Sequence, residues 1–455
     1  MTRNLRRKLN DSPLARWGVL GIVSITMLCA YFITDVMAPL QPMLEEQFGW
    51  DGAEYGLFSG SYGWFNVFLF MLIFGGIILD RKGTRFTGIL SCLLMILGCA
   101  VKYYAVSPFF TLEGTMFGIK AQVLAACLGF AVFGMGAETA GVTVTKIIAR
   151  WFSGKEIALA MGLQVATARI GTTLAFSATA KTAVRFDEIS APLLLGLLLL
   201  CIGLLAFFVF CVMDRKLDRS VAENVDRAEE QEESFRLKDV LQVVRNGGFW
   251  LIAILCLLFY SGVFPFLKYA TSLMINKYGV DGELAGMIPS LLPVGAILLT
   301  PLFGLLYDRV GKGASIMFAG SVLLVIVHAL FALPLLNVWW FAAFIMVLLG
   351  IAFSLVPSAM WPSVPKIIPQ NQLGTAYATI FWVQNIGLTG VPMLIGWVLK
   401  NYCRTGVAEK PYDYTLPMII FAGFGLLAVF VAWLLGREDR KKGYGLEKPN
   451  IIKES

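Results

Sequence analysis

Apolar runs of bilayer-spanning length, ~20 residues each, recur from Trp17 almost to Leu435, and each is closed by charge, proline or glycine. The pattern predicts six helices at about 17–40, 55–79, 86–106, 122–148, 157–180 and 191–213. It predicts six more at about 249–276, 284–307, 314–333, 338–361, 375–399 and 416–436. Between the sets lies one long polar stretch, 214–248, with the acidic run Glu229-Glu230-Gln231-Glu232-Glu233. The expected architecture is an all-α membrane protein of twelve transmembrane helices in two pseudo-symmetric six-helix bundles. The expected domains are a first bundle over 1–213, a cytoplasmic linker over 214–248, a second bundle over 249–436 and a cytoplasmic tail over 437–455. The run from Trp17 to Leu40 is too long for a signal peptide, and no Ala-x-Ala site follows it.

Composition agrees with the pattern. Of 455 residues 58% are hydrophobic and 15% charged, against about 25% charged in soluble domains. That excludes a soluble enzyme, a disordered chain and a disulfide-stapled secreted domain. The net charge of +7 sits largely in short loops, where it reads as a topology signal and not as a nucleic-acid surface. Arg3, Arg6, Arg7, Lys8 and Arg16 precede the first run, and Arg81, Lys82, Arg85, Arg150, Lys155, Arg309 and Lys312 follow even-numbered runs. On the other side, 41–54 carries Glu45, Glu46, Asp51 and Glu54 and no base, although Lys181, Arg185, Lys400 and Arg404 break the bias. Both termini are therefore expected in the cytoplasm. Seven of the eight cysteines lie in apolar segments and Cys403 has no loop partner, so neither disulfides nor a metal site is expected. No phosphate-binding loop or catalytic phrase is present, so no cofactor is implied.

An internal repeat divides the chain in two. Gly76-Ile-Ile-Leu-Asp80-Arg81-Lys82-Gly83-Thr84-Arg85 closes the second run, and Gly304-Leu-Leu-Tyr-Asp308-Arg309-Val310-Gly311-Lys312 closes the eighth. Glycine allows close helix approach and a tight turn, and an aspartate at a helix end can pair with nearby arginine. Two register-matched copies read as a conformational latch. Lys155 and Glu156 read either as a latch with the Asp80 cluster or as a solvated loop.

The doubled phrase on a six-plus-six chain resembles the major facilitator superfamily over essentially its whole length. Further stretches resemble its lysosomal dipeptide transporters and their bacterial relatives: Phe133-Gly-Met-Gly-Ala-Glu138, 151–164, Ala168-Arg-Ile-Gly-Thr172, Val263-Phe-Pro-Phe266, Trp361-Pro362, 372–377 and Gln384-Asn-Ile-Gly-Leu388. The resemblance implies alternating access between two bundles, with small neutral or cationic dipeptides moving down their gradient. Many proton-coupled members carry Arg where this chain has Phe130, and the Glu-x-x-Glu-Arg phrase of the proton-coupled peptide transporters is missing from the first helix. The single Asn-x-Ser/Thr sequon, at Asn10, falls on the expected cytoplasmic face. That points to a bacterial inner membrane.

Ionisable side chains at the bilayer centre cost at least ~2.5–3.5 kcal/mol each and persist where they pair or line a wet cavity. The candidates are Asp35, Glu138, Arg169, Lys268 and His328. At ~1.5 Å per residue, Glu138 and Arg169 lie ~16–18 Å deep on neighbouring helices. A zwitterionic peptide needs an acceptor for its ammonium and a donor fork for its carboxylate, which Glu138 and Arg169 supply. A permanent ion pair fastening two helices is the other reading. Asp35 and Lys268 occupy equivalent helices at similar depth, so they either share the cargo and an outer gate or snorkel to the interface. His328 reads as a packing residue. Tyr62, Trp64, Asn66, Tyr260, Trp361, Gln384 and Asn385 complete the candidate pocket, with helix glue and interfacial anchoring as the alternatives. The expected protein is a monomeric dipeptide uniporter in a lipid bilayer. Its competitors are a carrier of an organic anion or sugar acid and a non-transporting receptor. A membrane-embedded enzyme has no support in the sequence.

Overall fold

The computed structural model describes residues 9–449 except 113, 153–155, 223–242, 335, 370–371 and 408–409. Its helices are α1 (Pro13–Asp35), α2 (Gln41–Phe48), α3 (Gly52–Ser61), α4 (Trp64–Phe68), α5 (Met71–Val106), α6 (Ala121–Trp151) and α7 (Ile157–Phe186). They continue as α8 (Ala191–Ala222), α9 (Gly247–Tyr278), α10 (Leu291–Val310), α11 (Gly313–Ala332), α12 (Trp339–Ile367), α13 (Leu373–Tyr402) and α14 (Thr415–Lys442). Lipid offers no partner for a backbone N–H or C=O, so a helix that satisfies both internally is the form these apolar runs take. The single strand pair among the described residues, Thr115–Met116 with Ile119–Lys120, is a loop hairpin.

Ten of the described helices are long and apolar enough to cross a membrane. The second crossing is built from α3, α4 and the start of α5, and α7 crosses with a more polar composition that includes Arg169. Two differences from the expected spans have local causes. Positions 55–79 do not form one helix, because the chain kinks at Gly63 and at Phe70, whose φ is +53°. The second and third crossings run together in α5 through Gly83, at φ 79° and ψ 173°, a backbone shape that glycine takes without strain.

Helix ends follow capping chemistry. Pro13 opens α1 at a position where a missing N–H costs nothing. At the other end α1 stops at Asp35, just before Pro39 and Pro42. Asn246 caps α9, accepting from the Gly248 and Phe249 amides, and Gly279 closes it in the left-handed conformation. The sixth crossing continues past 213 to Ala222 because Asp214 and Asp218, one turn apart, face Arg85 and Arg150. Helix α14 likewise runs to Lys442, and the Asp439 carboxylate then accepts the Gly445 and Leu446 amides.

In the first bundle α5 packs on α6, and α1 on α7 and α8; in the second α11 packs on α14, α12 on α10 and α11, and α9 on α13 and α14. The bundles meet along α3 with α13 and α7 with α10. Leu9 and Pro449, the first and last described residues, lie on one face, the terminal face, opposite the far face.

Glycines show which face is shut. A Cβ on Gly56 would stand 2.6 Å from the Pro392 carbonyl oxygen, and one on Gly60 2.4 Å from the Thr389 carbonyl oxygen. On Gly396 it would meet the Gly52 carbonyl oxygen at 2.1 Å. All three lie on the far-face half of the seam between α3 and α13. Near the terminal face, a Cβ on Gly76, Gly162, Gly304 or Gly374 would meet no atom within 4 Å. The two bundles are thus in backbone contact on the far-face half of this seam, and nearer the terminal face they still touch where Phe70 stacks on Trp382 with ring centroids 5.6 Å apart.

Overpacking a tight seam costs about 1–3 kcal/mol. Gly60→Ala is expected to lower the melting temperature in detergent and to raise thiol labelling at the far face, while Gly18→Ala, with nothing within 4 Å, leaves both unchanged. Equal behaviour of the two variants would contradict the clamped seam.

Candidate functional site

Glu138 lies ~20 Å from the Trp151 end of α6 and Arg169 ~18 Å from the Ile157 end of α7, at ~1.5 Å per residue. They share one depth near mid-bilayer, and both are half-buried. Among the described residues they form no ion pair with each other or with any other charge. The Tyr62 hydroxyl donates to Glu138 Oε1 at 2.8 Å. The Arg169 guanidinium lies over three ring faces: Tyr31 and Phe264 at 5.3 Å, and Phe353 at 5.1 Å. Tyr31 is within electrostatic reach of both charges. Rings hold a guanidinium by its face and leave its N–H fork unspent.

The other candidates divide into two groups. Trp361 is half-buried at one wall, stacked on Phe381 with centroids 5.0 Å apart and donating from Nε1 to the Tyr260 hydroxyl at 3.2 Å. Trp64 is half-buried at the start of α4. The amides, in contrast, are turned into helix contacts. Asn66 donates to the Gly134 carbonyl on α6, Asn385 to the Phe381 carbonyl one turn back, and Gln384 Oε1 faces Cys256 Sγ on α9. His328 is fully buried, with Nε2 2.8 Å from the Gly262 carbonyl oxygen and its ring stacked on Phe421, a packing position as expected.

Asp35 and Lys268 meet at the far face. Lys268 Nζ lies 2.7 Å from Asp35 Oδ1 and 2.8 Å from the Thr34 carbonyl oxygen, joining α9 to the end of α1. The Tyr55 hydroxyl donates to the Lys268 carbonyl at 3.0 Å, and Tyr269 donates to the Pro392 carbonyl at 2.7 Å. Further out, Lys400 pairs with Asp51 at 2.8 Å, and the Tyr412 hydroxyl donates to Glu45 while accepting from the Gly52 amide. This layered seal ties the bundles together on the far-face side of Glu138 and Arg169.

The repeated phrase is placed at the terminal face. Asp80 pairs with Lys146 at 3.1 Å. Arg81 is exposed, while Arg85 and Arg150 clasp Asp214, whose carboxylate also accepts from Trp151 Nε1. In the second copy Asp308 is partnered, Arg309 is exposed, and Gly311 at φ 73° lies against the chain at 447–449. Glu156 is held by Arg16 on α1 at 3.1 Å. The expected link from the Lys155-Glu156 pair to the Asp80 cluster is therefore replaced by one to α1, and Lys155 itself lies outside the described residues.

The sequence profile of the Major Facilitator Superfamily matches residues 23–392 and 269–451. The chain belongs to the Major Facilitator Superfamily. It is similar to the lysosomal dipeptide transporter MFSD1 of Mus musculus, at 28% identity over 450 residues that cover 96% of this chain and 90% of the relative. The galacturonate transporter of Dickeya chrysanthemi is 26% identical over 272 residues, covering 58% of this chain and 74% of the relative. The nucleoside transporter NupG superposes with a TM-score of 0.67 over 93% of this chain and 99% of its own at 15% identity, a likeness of fold. As a superfamily member the protein is a multi-pass membrane transporter and not an enzyme.

Within this superfamily fold, three groups at the cavity and gate escaped the sequence reading. Tyr31, Phe264 and Phe353 looked like ordinary apolar-helix aromatics, and only folding brings them around Arg169. Lys102 lies one turn from the end of α5, a place that does not mark it in the sequence, yet it is fully buried beside the end of α1. Asp214 fell in the expected linker, although its neighbours Arg215 and Lys216 were signal enough for a helix-end cluster.

Burial alone would push the Asp51 carboxyl up, but the Lys400 ammonium and the Glu54 and Ala53 amides outweigh it and hold it below its ordinary 3.8. A depressed carboxyl contributes stability that is complete above the ordinary value and is lost as pH falls through the folded one. Asp51→Asn is therefore expected to lower the melting temperature by a constant amount from about pH 7 to about pH 5, with the gap to wild type closing only below the usual carboxylate range. A gap that closes between about pH 7 and 6 would show that another group holds the seal.

Proposed function

We propose that the protein is a facilitative carrier of small zwitterionic peptides, dipeptides foremost, working by alternating access. One observation carries the proposal: a carboxylate and a guanidinium stand at one depth on neighbouring helices, each held by aromatic groups and neither spent on an ion pair. A dipeptide carries an ammonium and a carboxylate at its two ends, and Glu138 and Arg169 answer them in turn. Trp361 and Trp64 offer apolar walls that tolerate varied side chains. Asp35 and Lys268, paired in this conformation, serve the far-face gate, and the Asp80 and Asp308 phrases serve the terminal face. Asn66 and Gln384 link helices in this conformation, and Asn385 bonds within its own helix. The similarity to MFSD1, a lysosomal dipeptide transporter by name, points the same way.

The bias of the basic loops supports a cytoplasmic terminal face, with the sealed far face turned outward, and the lone Asn10 sequon on that side favours a bacterial inner membrane. The bundles rock about the mid-depth site while cargo binding biases the two states. The cargo is read as moving alone because the arginine and the Glu-x-x-Glu-Arg phrase of the proton-coupled members are missing from this chain.

A sugar acid, the cargo named for the Dickeya relative, would satisfy Arg169 and leave its own charge facing Glu138. Thermal-shift titration of the purified protein with dipeptides, free amino acids and galacturonate separates the readings. Dipeptides are expected to stabilise it, with Glu138→Gln and Arg169→Gln each weakening binding by roughly tenfold or more, the effect of losing ~1.4 kcal/mol. Stabilisation by galacturonate and not by dipeptides, or an unchanged dipeptide affinity in Glu138→Gln, would overturn the proposal.

A further inference from the structure

Lys102 is the most deeply buried cation among the described residues, with no exposed surface at all. Its ammonium has three N–H donors. One acceptor is in reach, the Ile33 carbonyl oxygen at 3.0 Å. Around it lie the rings of Phe130 at 4.3 Å, Phe133 at 5.1 Å and Phe58 at 6.0 Å. Among the described residues it makes no ion pair. A cation sealed from water without a counter-ion is costly, and capping one carbonyl needs only a neutral amide.

The surroundings say what the charge is for. Ile33, Thr34 and Asp35 are the last residues of α1, where the final carbonyls lack helical partners and the helix dipole is negative. Lys102 takes the Ile33 carbonyl and Lys268 takes the next one, Thr34, together with the Asp35 carboxylate. The two ammonium groups stand by one ring, Phe130, with Lys268 Nζ 6.0 Å from its centroid. Lys102 and Asp35 are within electrostatic reach of each other. The other ionisable groups facing this cluster are Tyr31, Tyr55, Tyr62 and Cys99, and none of them supplies a positive charge.

The two lysines belong to different halves. Lys102 on α5 moves with Asp35 on α1, whereas Lys268 on α9 belongs to the second bundle. Opening the far face separates Lys268 from Asp35 and leaves Lys102 where it is. We propose that Lys102 is the standby counter-ion of Asp35: as the far face opens and Lys268 departs, its ammonium swings from the Ile33 carbonyl to the abandoned carboxylate. Its flexible four-carbon stem permits that short move. The carboxylate is then compensated in both states, and the gate can cycle without taking up a proton. The inference rests on the alternating-access reading and is independent of which cargo the protein carries.

Pulsed electron-resonance distances test it without any substrate. Spin labels on the exposed far-face loop positions Phe109→Cys and Val407→Cys report how often the far face opens. Lys102→Met is expected to reduce the open population roughly tenfold or more, because opening would strand a buried carboxylate. Adding Asp35→Asn is expected to restore opening, since no charge is left to compensate. Lys102→Gln keeps a donor for the Ile33 carbonyl without the charge, and it is expected to fail as Lys102→Met does. Wild-type opening in Lys102→Met or in Lys102→Gln would overturn the proposal, as would failure of Asp35→Asn to rescue. Loss of dipeptide binding with these distances unaffected would strike the cargo assignment and spare this one.

Discussion

A charge held in a low-dielectric interior is costly to leave alone, so the way it is compensated constrains the conformations a transport cycle can use. The end of α1 is where this constraint is most visible. A negative helix terminus and the Asp35 carboxylate stand at the seam between two moving bodies, and both bodies offer an ammonium: Lys268 from the second and Lys102 from the first. The rest of the far face follows from that pairing. Glycines at 52, 56, 60 and 396 let α3 and α13 approach to backbone distance, and the Asp51, Glu45 and Tyr412 contacts finish the seal near the interface.

At the middle of the bilayer the same constraint is met differently. Glu138 and Arg169 share one depth yet form no ion pair among the described residues, and a closed pair would compete with any cargo. A tyrosine hydroxyl and three ring faces steady the two groups individually. A ring face compensates a cation less completely than a carboxylate does, so the groups remain available to a guest that brings both opposite charges. On the proposed function, a site so arranged favours a zwitterion over an ion of either sign. Preorganisation by rings also keeps the arginine from collapsing onto its neighbours when the cavity is empty.

The architecture was legible because membrane insertion imposes it locally: apolar length, the charge bias of loops and the doubled Gly-x-x-x-Asp-Arg-x-Gly phrase each act within a few turns of chain. The common depth of Glu138 and Arg169 was legible for the same reason, since rise per residue along a straight helix sets it. What escaped depends on rotation about helix axes and on contacts between distant segments. Nothing in the spacing of Tyr31, Phe264 and Phe353 marks them as a cradle, because they come from three separate helices. Lys102 was hidden by its place near a helix end, where lysine usually snorkels to water. The amides of Asn66, Gln384 and Asn385 show the converse: residue type marked them as ligands, and side-chain direction turned Asn66 and Gln384 to neighbouring helices and Asn385 to its own. Glu156 followed the same rule, taking Arg16 on α1 in place of the cluster nearest in sequence logic.

The central claim is that Glu138 meets the amine of a zwitterionic guest, and a chemical double-mutant cycle tests it most directly. Affinities of wild type and Glu138→Gln are measured for one dipeptide with its amino group free and with that group acetylated. Acetylation is expected to weaken binding strongly in wild type and hardly at all in Glu138→Gln, because the partner it removes is already gone. Equal losses in both proteins would contradict the account and place the amine elsewhere in the cavity.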